Sequence, residues 1–434
     1  MSVKRVVKKL MPKRLFDLLV PIYHFIVAVI ANVRYGFPAR KLHIIGVTGT
    51  NGKTTTTTLI FTMLREAGYK VGFMTTVDYG VGQDVHKQIE HMTTVTAPEM
   101  QRRLRDYHRQ GAEWVVIETS SHALAQNRLL GLPYEMAVLT NITHEHLEYH
   151  GTFDNYREAK RRLFKMTAKS KRSLGIVNID DPAAKLFAST TKRHVYYGLH
   201  RGDVYAKAIQ LQQSDSKYTA VAGDDSYAIR VQIPGEFNIY NSLAAVAVGR
   251  ELGLSKEQIE KGIAALDGVE GRMMRIDEGQ PFAAMIDYAG TPDAFERSFA
   301  TIRPQVKGKL VVVFGSPGRR DEIKRPIQGE IAGLAADEII LTEEDDRDEP
   351  GERIMGQIAA GAEKAGKVRD KDLFLIGNRS EAIEFAVSRV NSPNDMVVTL
   401  GKGQEKTIQR ANGTFAWSEP ETMRAALRKR YKAK

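Results

Sequence analysis

The sequence predicts an α/β protein with a central doubly wound domain, a second α/β domain behind it and a short helical segment in front. Three observations carry this reading. From residue 43 onward, apolar runs of strand length alternate with helix-length stretches, the pattern of a parallel sheet with crossover helices. A glycine-rich turn at residues 48–54 joins the first such strand to its helix. The alternation then restarts near Phe282 with five further strand-length runs. Five strands and their helices need about 150 residues, which sets a domain boundary near Gly271.

The elements follow in order. Phe37, Pro38 and Ala39 break the chain ahead of a first strand at 43–47, and a helix at 54–67 and a strand at 69–75 come next. A helix at 98–110 precedes a short buried strand at 114–118 that ends in a carboxylate, Glu118; the strand at 136–140 repeats the pattern and ends at Asn141. Between 195 and 232 the residues alternate with Gly and Asp turns, which reads as a small antiparallel insertion. A helix covers 241–252, and the second domain has strands at 283–287, 310–314, 338–342, 373–376 and 396–400. The expected division is 1–40, 41–270 and 271–434.

A chain of 434 residues is too long for one compact core. With 42% hydrophobic and 26% charged residues, it has the composition of an ordinary globular protein. It contains no cysteine, which excludes disulfides, thiolate zinc sites and a cysteine nucleophile, and makes the cytosol the expected compartment. The net charge of +11 is concentrated at the ends, in Lys4, Arg5, Lys8, Lys9, Lys13 and Arg14 and again in Arg428, Lys429, Arg430, Lys432 and Lys434. Basic and aromatic residues do not interleave, so no nucleic-acid partner is expected. Residues 15–32 are apolar but interrupted by Asp17, Pro21, Tyr23 and His24. A membrane span wants a longer clean run. A helix docked on the protein fits better, followed by one lying on a membrane surface through its basic flank, so peripheral membrane contact through residues 1–35 is an open expectation.

The segment Thr48-Gly49-Thr50-Asn51-Gly52-Lys53-Thr54-Thr55 is the clearest chemical signal. Backbone N–H groups of such a loop ring a phosphate at a helix N-terminus. Lys53 would reach the β- and γ-phosphates, and the Thr54 hydroxyl would bind magnesium. The loop is a variant, because Val47 stands where the usual pattern has its first glycine.

In this form the loop resembles that of the Mur ligases, which build the peptidoglycan stem peptide, and the resemblance runs on from about residue 40. Residues 118–124 (ETSSHAL), 140–151 (TNITHEHLEYHG, with Glu145 and Glu148 for aspartates), 237–241 (FNIYN) and 287–293 (DYAGTPD) match ordered family motifs. The wording is closest to the ligases that add the third amino acid. The resemblance implies a P-loop-type ATPase domain followed by a Rossmann-like domain, and an ADP-forming ligase that activates a carboxylate as an acyl phosphate. It implies ATP and two magnesium sites held by Thr54, Glu118, His146 and Lys160, with Lys160 N6-carboxylated; Lys53, Glu118, His146 and Lys160 would be catalytic. The His146–His150 spacing invites a zinc reading, but hard phosphate chemistry favours magnesium.

By the same resemblance Asn238 and Asn241 face adenine, Arg272 the γ-phosphate and Asp287 the ribose. Thr93, Thr94, Ser120, Gln126 and Arg128 would hold a muramyl-dipeptide acceptor, with Met92 replacing a family asparagine. Arg320, Asp345, Arg347, Gly401 and Glu405 would hold the incoming amino acid. Arg347 suits the distal carboxylate of diaminopimelate, whereas Asp345 and Asp346 suit lysine. Gly290, Arg319 and Gln404 depart from the family pattern. Family members carry a uridine-nucleotide domain ahead of the phosphate loop, where this chain has about 40 residues, too few to bury a core of their own. Two other readings follow from these departures: a ligase of the same fold for another γ-glutamyl acceptor of folate or poly-γ-glutamate type, and a non-catalytic ATP-binding scaffold of wall synthesis.

Overall fold

The computed structural model describes residues 13–88, 92–212 and 215–431. Lys4, Arg5, Lys8, Lys9, Lys432 and Lys434 lie outside them, as do the side chains of Lys13, Arg14 and Glu148. Eleven strands form one sheet: β1 (His43–Thr48), β2 (Val71–Met74), β3 (Asp78–Val81), β4 (Asp84–Lys87), β5 (Trp114–Glu118), β6 (Tyr134–Leu139), β7 (Leu174–Asn178), β8 (Arg193–Gly198), β9 (Val204–Leu211), β10 (Ser216–Ala222) and β11 (Asp225–Val231). Their order is β11-β10-β9-β8-β7-β6-β1-β5-β2-β3-β4. β1 pairs in parallel with both β5 and β6, so the chain crosses from one side of β1 to the other. The phosphate loop leaves the C-terminal end of β1 at that switch point, where open α/β sheets bind ligands.

Alternate residues of the parallel strands feed two cores. Ile45, Val47, Val116 and Val138 pack with the helices Lys53–Glu66 and Glu236–Glu251. Ile44, Val115, Ile117, Ala137 and Leu139 face the opposite way and pack with Ala97–Arg109 and Phe153–Thr167. A sheet buried on both faces is the doubly wound arrangement.

The expected small antiparallel insertion takes a different form. β8 is parallel to β7, and β9 joins β8 in parallel before β10 and β11 turn back antiparallel. The hairpins therefore extend the central sheet. Residues of β10 and β11 alternate buried and exposed, and the buried face needs a cover that the helices Glu236–Glu251 and Lys256–Ala264 supply.

A second sheet comprises β12 (Met274–Ile276), β13 (Ala283–Asp287), β14 (Leu310–Phe314), β15 (Glu338–Leu341), β16 (Leu373–Leu375) and β17 (Met396–Leu400), in the order β12-β13-β17-β14-β15-β16. Only β12 runs antiparallel, and it is too short to show in the sequence pattern. A hairpin of β18 (Thr407–Arg410) and β19 (Gly413–Ala416) follows.

The helix Lys13–Tyr35 stands in front. Ala28 and Ala31 pack on Ala97 and Leu130, and the Asn32 side chain donates to the Leu130 carbonyl at 2.9 Å. No described helix is long and apolar enough to cross a membrane.

Candidate active site

The C-terminal ends of the parallel strands in the two sheets face each other across a cavity of about 690 Å³. Residues 50–55 of the phosphate loop form one wall. Gly52 takes a left-handed conformation (φ 81°) directly before the helix, and a side chain there would collide with Asn241. Asn141 secures the loop, its carbonyl accepting from Thr50 N at 2.7 Å and its side chain from Asn51 N at 2.9 Å. The Asn51 side chain donates to Asp293 of the second domain at 2.6 Å, which ties the loop to the opposite wall.

Glu118 closes β5 with 2% of its surface exposed. Its carboxylate accepts from the Thr54 hydroxyl at 3.0 Å and from both the N–H and the hydroxyl of Thr76, at 2.8 and 3.0 Å. This is a compact oxygen-donor group. Among the described residues no three His, Asp or Glu side chains cluster closely enough to hold a metal alone. Hydroxyl and carboxylate oxygens beside a phosphate loop fit magnesium, which keeps water and substrate phosphate oxygens in its shell.

Lys160 lies behind the loop on the buried stripe of its helix, among Tyr156, Ala159, Leu163 and Phe164. The Thr152 side chain caps that helix by accepting from Asn155 N. Lys160 Nζ donates to the Gly49 carbonyl at 2.5 Å. Burial, reinforced by the charge of Lys53, pushes its pKa well below the ordinary lysine value. The amine is therefore held toward its neutral, nucleophilic form. Glu145 shows the opposite balance. Burial pushes its carboxyl up, but His146, Lys53 and Lys160 outweigh burial and hold it below the usual range.

Arg272 reaches the Thr54 hydroxyl at 3.3 Å. Its guanidinium sits 4.4 Å from the Tyr288 ring centroid, and its Nε is buried without a hydrogen-bond partner. A buried donor left open beside a phosphate loop is suited to an anion.

Of the residues expected at the site, Thr93, Ser120, Arg128, His146, Asn241, Asp287, Arg320, Asp345, Arg347, Gly401 and Glu405 line the cavity with the loop. Thr48, Gly49, Thr94, Gln126, Asn238 and Lys160 stand one layer behind. Thr94 braces the wall, donating to the Glu118 carbonyl and accepting from Ser120 N. Gln126 holds Arg128, whose Nε donates to it at 2.9 Å. Asn238 accepts from Asn241 at 2.9 Å, and Asp287 accepts from Ser298 at 2.7 Å. The Met92 sulfur lies 3.5 Å from Arg128.

On the second-domain wall the two aspartates expected to suit lysine stand in different surroundings. Asp345 does not stand as a free anion, because fully buried Lys402 donates to it at 2.9 Å and Gln409 N at 3.0 Å. Lys402 also pairs with Glu405. Burial and the neighbouring carboxylates raise Asp346 to about 6. Arg347 and Arg320 stand on the same wall, and burial followed by Arg320's charge lowers the pKa of Arg347.

Sequence reasoning missed Thr76, Lys324, Glu344 and Gln409, all on the wall. Glu145 was visible only as a replacement beside His146. Lys324 donates to the Gly290 carbonyl at 2.7 Å, a contact between segments with no local signal to link them.

Burial raises Glu344 to about 7 from 4.5, against the pull of Lys324, Arg379 and Lys402. A folded-state pKa above the unfolded one gives stability that is complete below about pH 4.5 and is lost as pH rises through about 7. Glu344→Gln should therefore gain in Tm over the native chain at pH about 8 relative to pH about 5. Thermal scans at the two pH values check this, and an equal difference at both would show Glu344 to be ionised throughout.

A phosphate loop with a carboxylate–hydroxyl group beside it, facing a second α/β domain across one cavity, defines a nucleotide-dependent two-domain ligase. The chain belongs to the Mur ligase family: residues 47–249 match the Mur ligase middle domain and residues 271–403 the Mur ligase glutamate ligase domain. It is 39% identical to a UDP-N-acetylmuramyl-tripeptide synthetase of Roseiflexus sp. over 94% of this chain and 83% of that protein. It is 38% identical to a UDP-N-acetylmuramoyl-L-alanyl-D-glutamate–2,6-diaminopimelate ligase of Syntrophomonas wolfei, over 87% of this chain and 76% of that one. A solved structure of a ligase of the latter name superposes with TM-score 0.62 at 31% identity, covering 90% of this chain and 79% of that chain. The protein is thus an ATP-dependent, magnesium-requiring, ADP-forming amide ligase.

Proposed function

We propose that this ligase adds meso-diaminopimelate to the D-glutamate carboxylate of a muramyl dipeptide in peptidoglycan stem-peptide synthesis. The observation that carries the choice of amino acid is the second-domain wall. Arg347 and Arg320 bring two guanidinium groups close together there, while Lys402 is shared between Asp345 and Glu405. Two like charges drawn together favour an anion between them, and a guanidinium binds a carboxylate through two parallel hydrogen bonds. Lysine has no distal carboxylate with which to make that contact. The relatives, which include a diaminopimelate ligase, support the same reading.

The working division is a central ATP domain at 41–270 and an amino-acid domain at 271–434, in a protein acting in the cytosol. Arg128, steadied by Gln126 and the Thr94 carbonyl, holds the acceptor carboxylate at the loop. Lys53 and Arg272 face the phosphoryl group that passes from ATP to this carboxylate, with release of ADP. The amine of diaminopimelate then attacks the acyl carbon, and inorganic phosphate leaves. Two magnesium ions, held by Thr54 with Glu118 and by His146 with carbamylated Lys160, would supply neutralisation of the gathered phosphate charge. Asn241 lies toward the adenine and Asp287 toward the ribose.

The mass of the product formed from muramyl dipeptide, ATP and a pool of amino acids tests the reading. Diaminopimelate should be chosen over lysine. Arg347→Ala should raise KM for diaminopimelate about a hundredfold, the equivalent of about 2.7 kcal/mol for a lost charge-assisted pair. Equal use of both amino acids, unchanged by the substitution, would remove Arg347 from the specificity pocket.

A further inference from the structure

The N-terminal helix Lys13–Tyr35 is turned inside out. Between residues 22 and 33 the exposed side chains are Ile22, Tyr23, Phe25, Ile26, Val29, Ile30 and Val33, with Val33 64% and Ile30 58% exposed. Every one is apolar or aromatic. The polar Asn32 points inward instead, 3% exposed, donating to the Ala28 and Leu130 carbonyls. At 100° per residue the exposed positions form one continuous stripe, opposite the small-residue face of Ala28 and Ala31 that packs on the protein. A helix in contact with water places its residues the other way round.

The charge around the stripe is as one-sided as its hydropathy. The first 41 residues carry nine lysines and arginines against the single acid Asp17, a net +8 of the chain's +11. Lys13 and Arg14 begin the helix, and Arg34, Arg40 and Lys41 stand exposed at its other end. A second copy seated on this stripe would bring two such cationic segments together, and their repulsion opposes the contact. An anionic surface is attracted by the same charges. Over its described residues the helix is not long and apolar enough to cross a bilayer, and its inner face is fixed to the protein through Asn32, so the geometry available is flat on the surface with Tyr23 at headgroup level.

We infer that this face docks the ligase on an anionic lipid bilayer, with Phe25, Ile26, Val29, Ile30 and Val33 entering the headgroup–acyl boundary and the flanking lysines and arginines meeting lipid phosphates. Asn32 is bonded to Leu130, two residues beyond Arg128 on the cavity wall. Docking therefore brings the acceptor side of the active site close to the membrane. The inference is independent of which amino acid the enzyme adds.

Vesicle sedimentation of the full chain tests it. Phosphatidylcholine vesicles containing phosphatidylglycerol should pellet the protein, and phosphatidylcholine alone should bind at least about tenfold more weakly, with salt weakening the former. Ile26→Glu combined with Ile30→Glu should reduce anionic-vesicle binding more than about tenfold. Thermal unfolding and activity on soluble substrates should be unchanged, because neither side chain enters the core or the cavity. Glutamine at Lys8, Lys9, Lys13 and Arg14 leaves the apolar stripe intact and should also weaken anionic binding, so the inference can be judged even if the glutamate variant folds poorly. Failure to pellet with anionic vesicles would overturn it. So would binding unaltered in both variants, or a dimer in vesicle-free sedimentation equilibrium that the glutamates dissociate, which would assign the face to a second copy.

Discussion

Lys53→Ala is expected to lower kcat by about a thousandfold or more, near 4 kcal/mol of transition-state stabilisation, while the protein still folds. Lys53 opens the helix after Gly52, and its ammonium donates to the Thr50 carbonyl at 2.7 Å within the same loop. The fold does not depend on that bond, because the loop is also held by Asn141 and by Asp293. Catalysis depends on the charge. As the phosphoryl group leaves ADP, negative charge develops on its oxygens, and a fixed cation at the loop stabilises that state more than the bound nucleotide. Acceptor-dependent ADP release measures the loss and thermal unfolding checks the fold. Turnover near that of the native chain in a folded variant would refute the phosphoryl-transfer role.

Lys160→Ala should be nearly as damaging and, unlike Lys53→Ala, should be partly rescued by acetate or formate. A small carboxylate can occupy the space that the carbamate is proposed to fill. The basis is the lowered amine pKa, which burial and the Lys53 charge produce together. Carbon dioxide reacts with the neutral amine, so a depressed pKa lets the carbamate form at lower pH than an ordinary lysine allows. Activity should accordingly fall as the pH is lowered and the amine gains its proton. A carbamate signal from carbon-13-labelled bicarbonate should be present in the native protein and absent from Lys160→Ala. Full activity of the variant, with no response to carboxylates, would make Lys160 a structural lysine.

Several features were legible because their signals are local. The strand–loop–helix unit at residues 43–66 follows from an apolar run, two glycines and a helix-forming stretch in direct succession. Trp114–Glu118, Ala283–Asp287, Leu310–Phe314 and Met396–Leu400 have the bounds that their apolar runs predict. Fully buried parallel strands are uninterrupted apolar segments, which propensity and pattern locate without reference to the rest of the chain. The ordered motifs at 118–124, 140–151 and 287–293 sit at strand ends for the same reason, and the Mur ligase resemblance rests on them.

What the sequence could not decide depends on partners distant along the chain. β9 joins the central sheet through a parallel pairing with β8, and alternation within each strand does not reveal which neighbour it takes. Asp345 and Asp346 read as two anions in a row, but Lys402, 57 residues on, donates to the first, and burial with neighbouring carboxylates raises the second. Lys324 and Glu344 enter the cavity wall only because two domains close on one space. The apolar residues of 15–32 set the N-terminal segment as a helix, but not which side would be covered. That was decided by Asn32 and Leu130 meeting across 98 residues, which turned the polar side chain inward and left the apolar stripe outside. Local sequence fixes backbone conformation through side-chain sterics and periodicity; charge state, strand partner and exposed face are set by what packs alongside, and that is known only once the chain has folded.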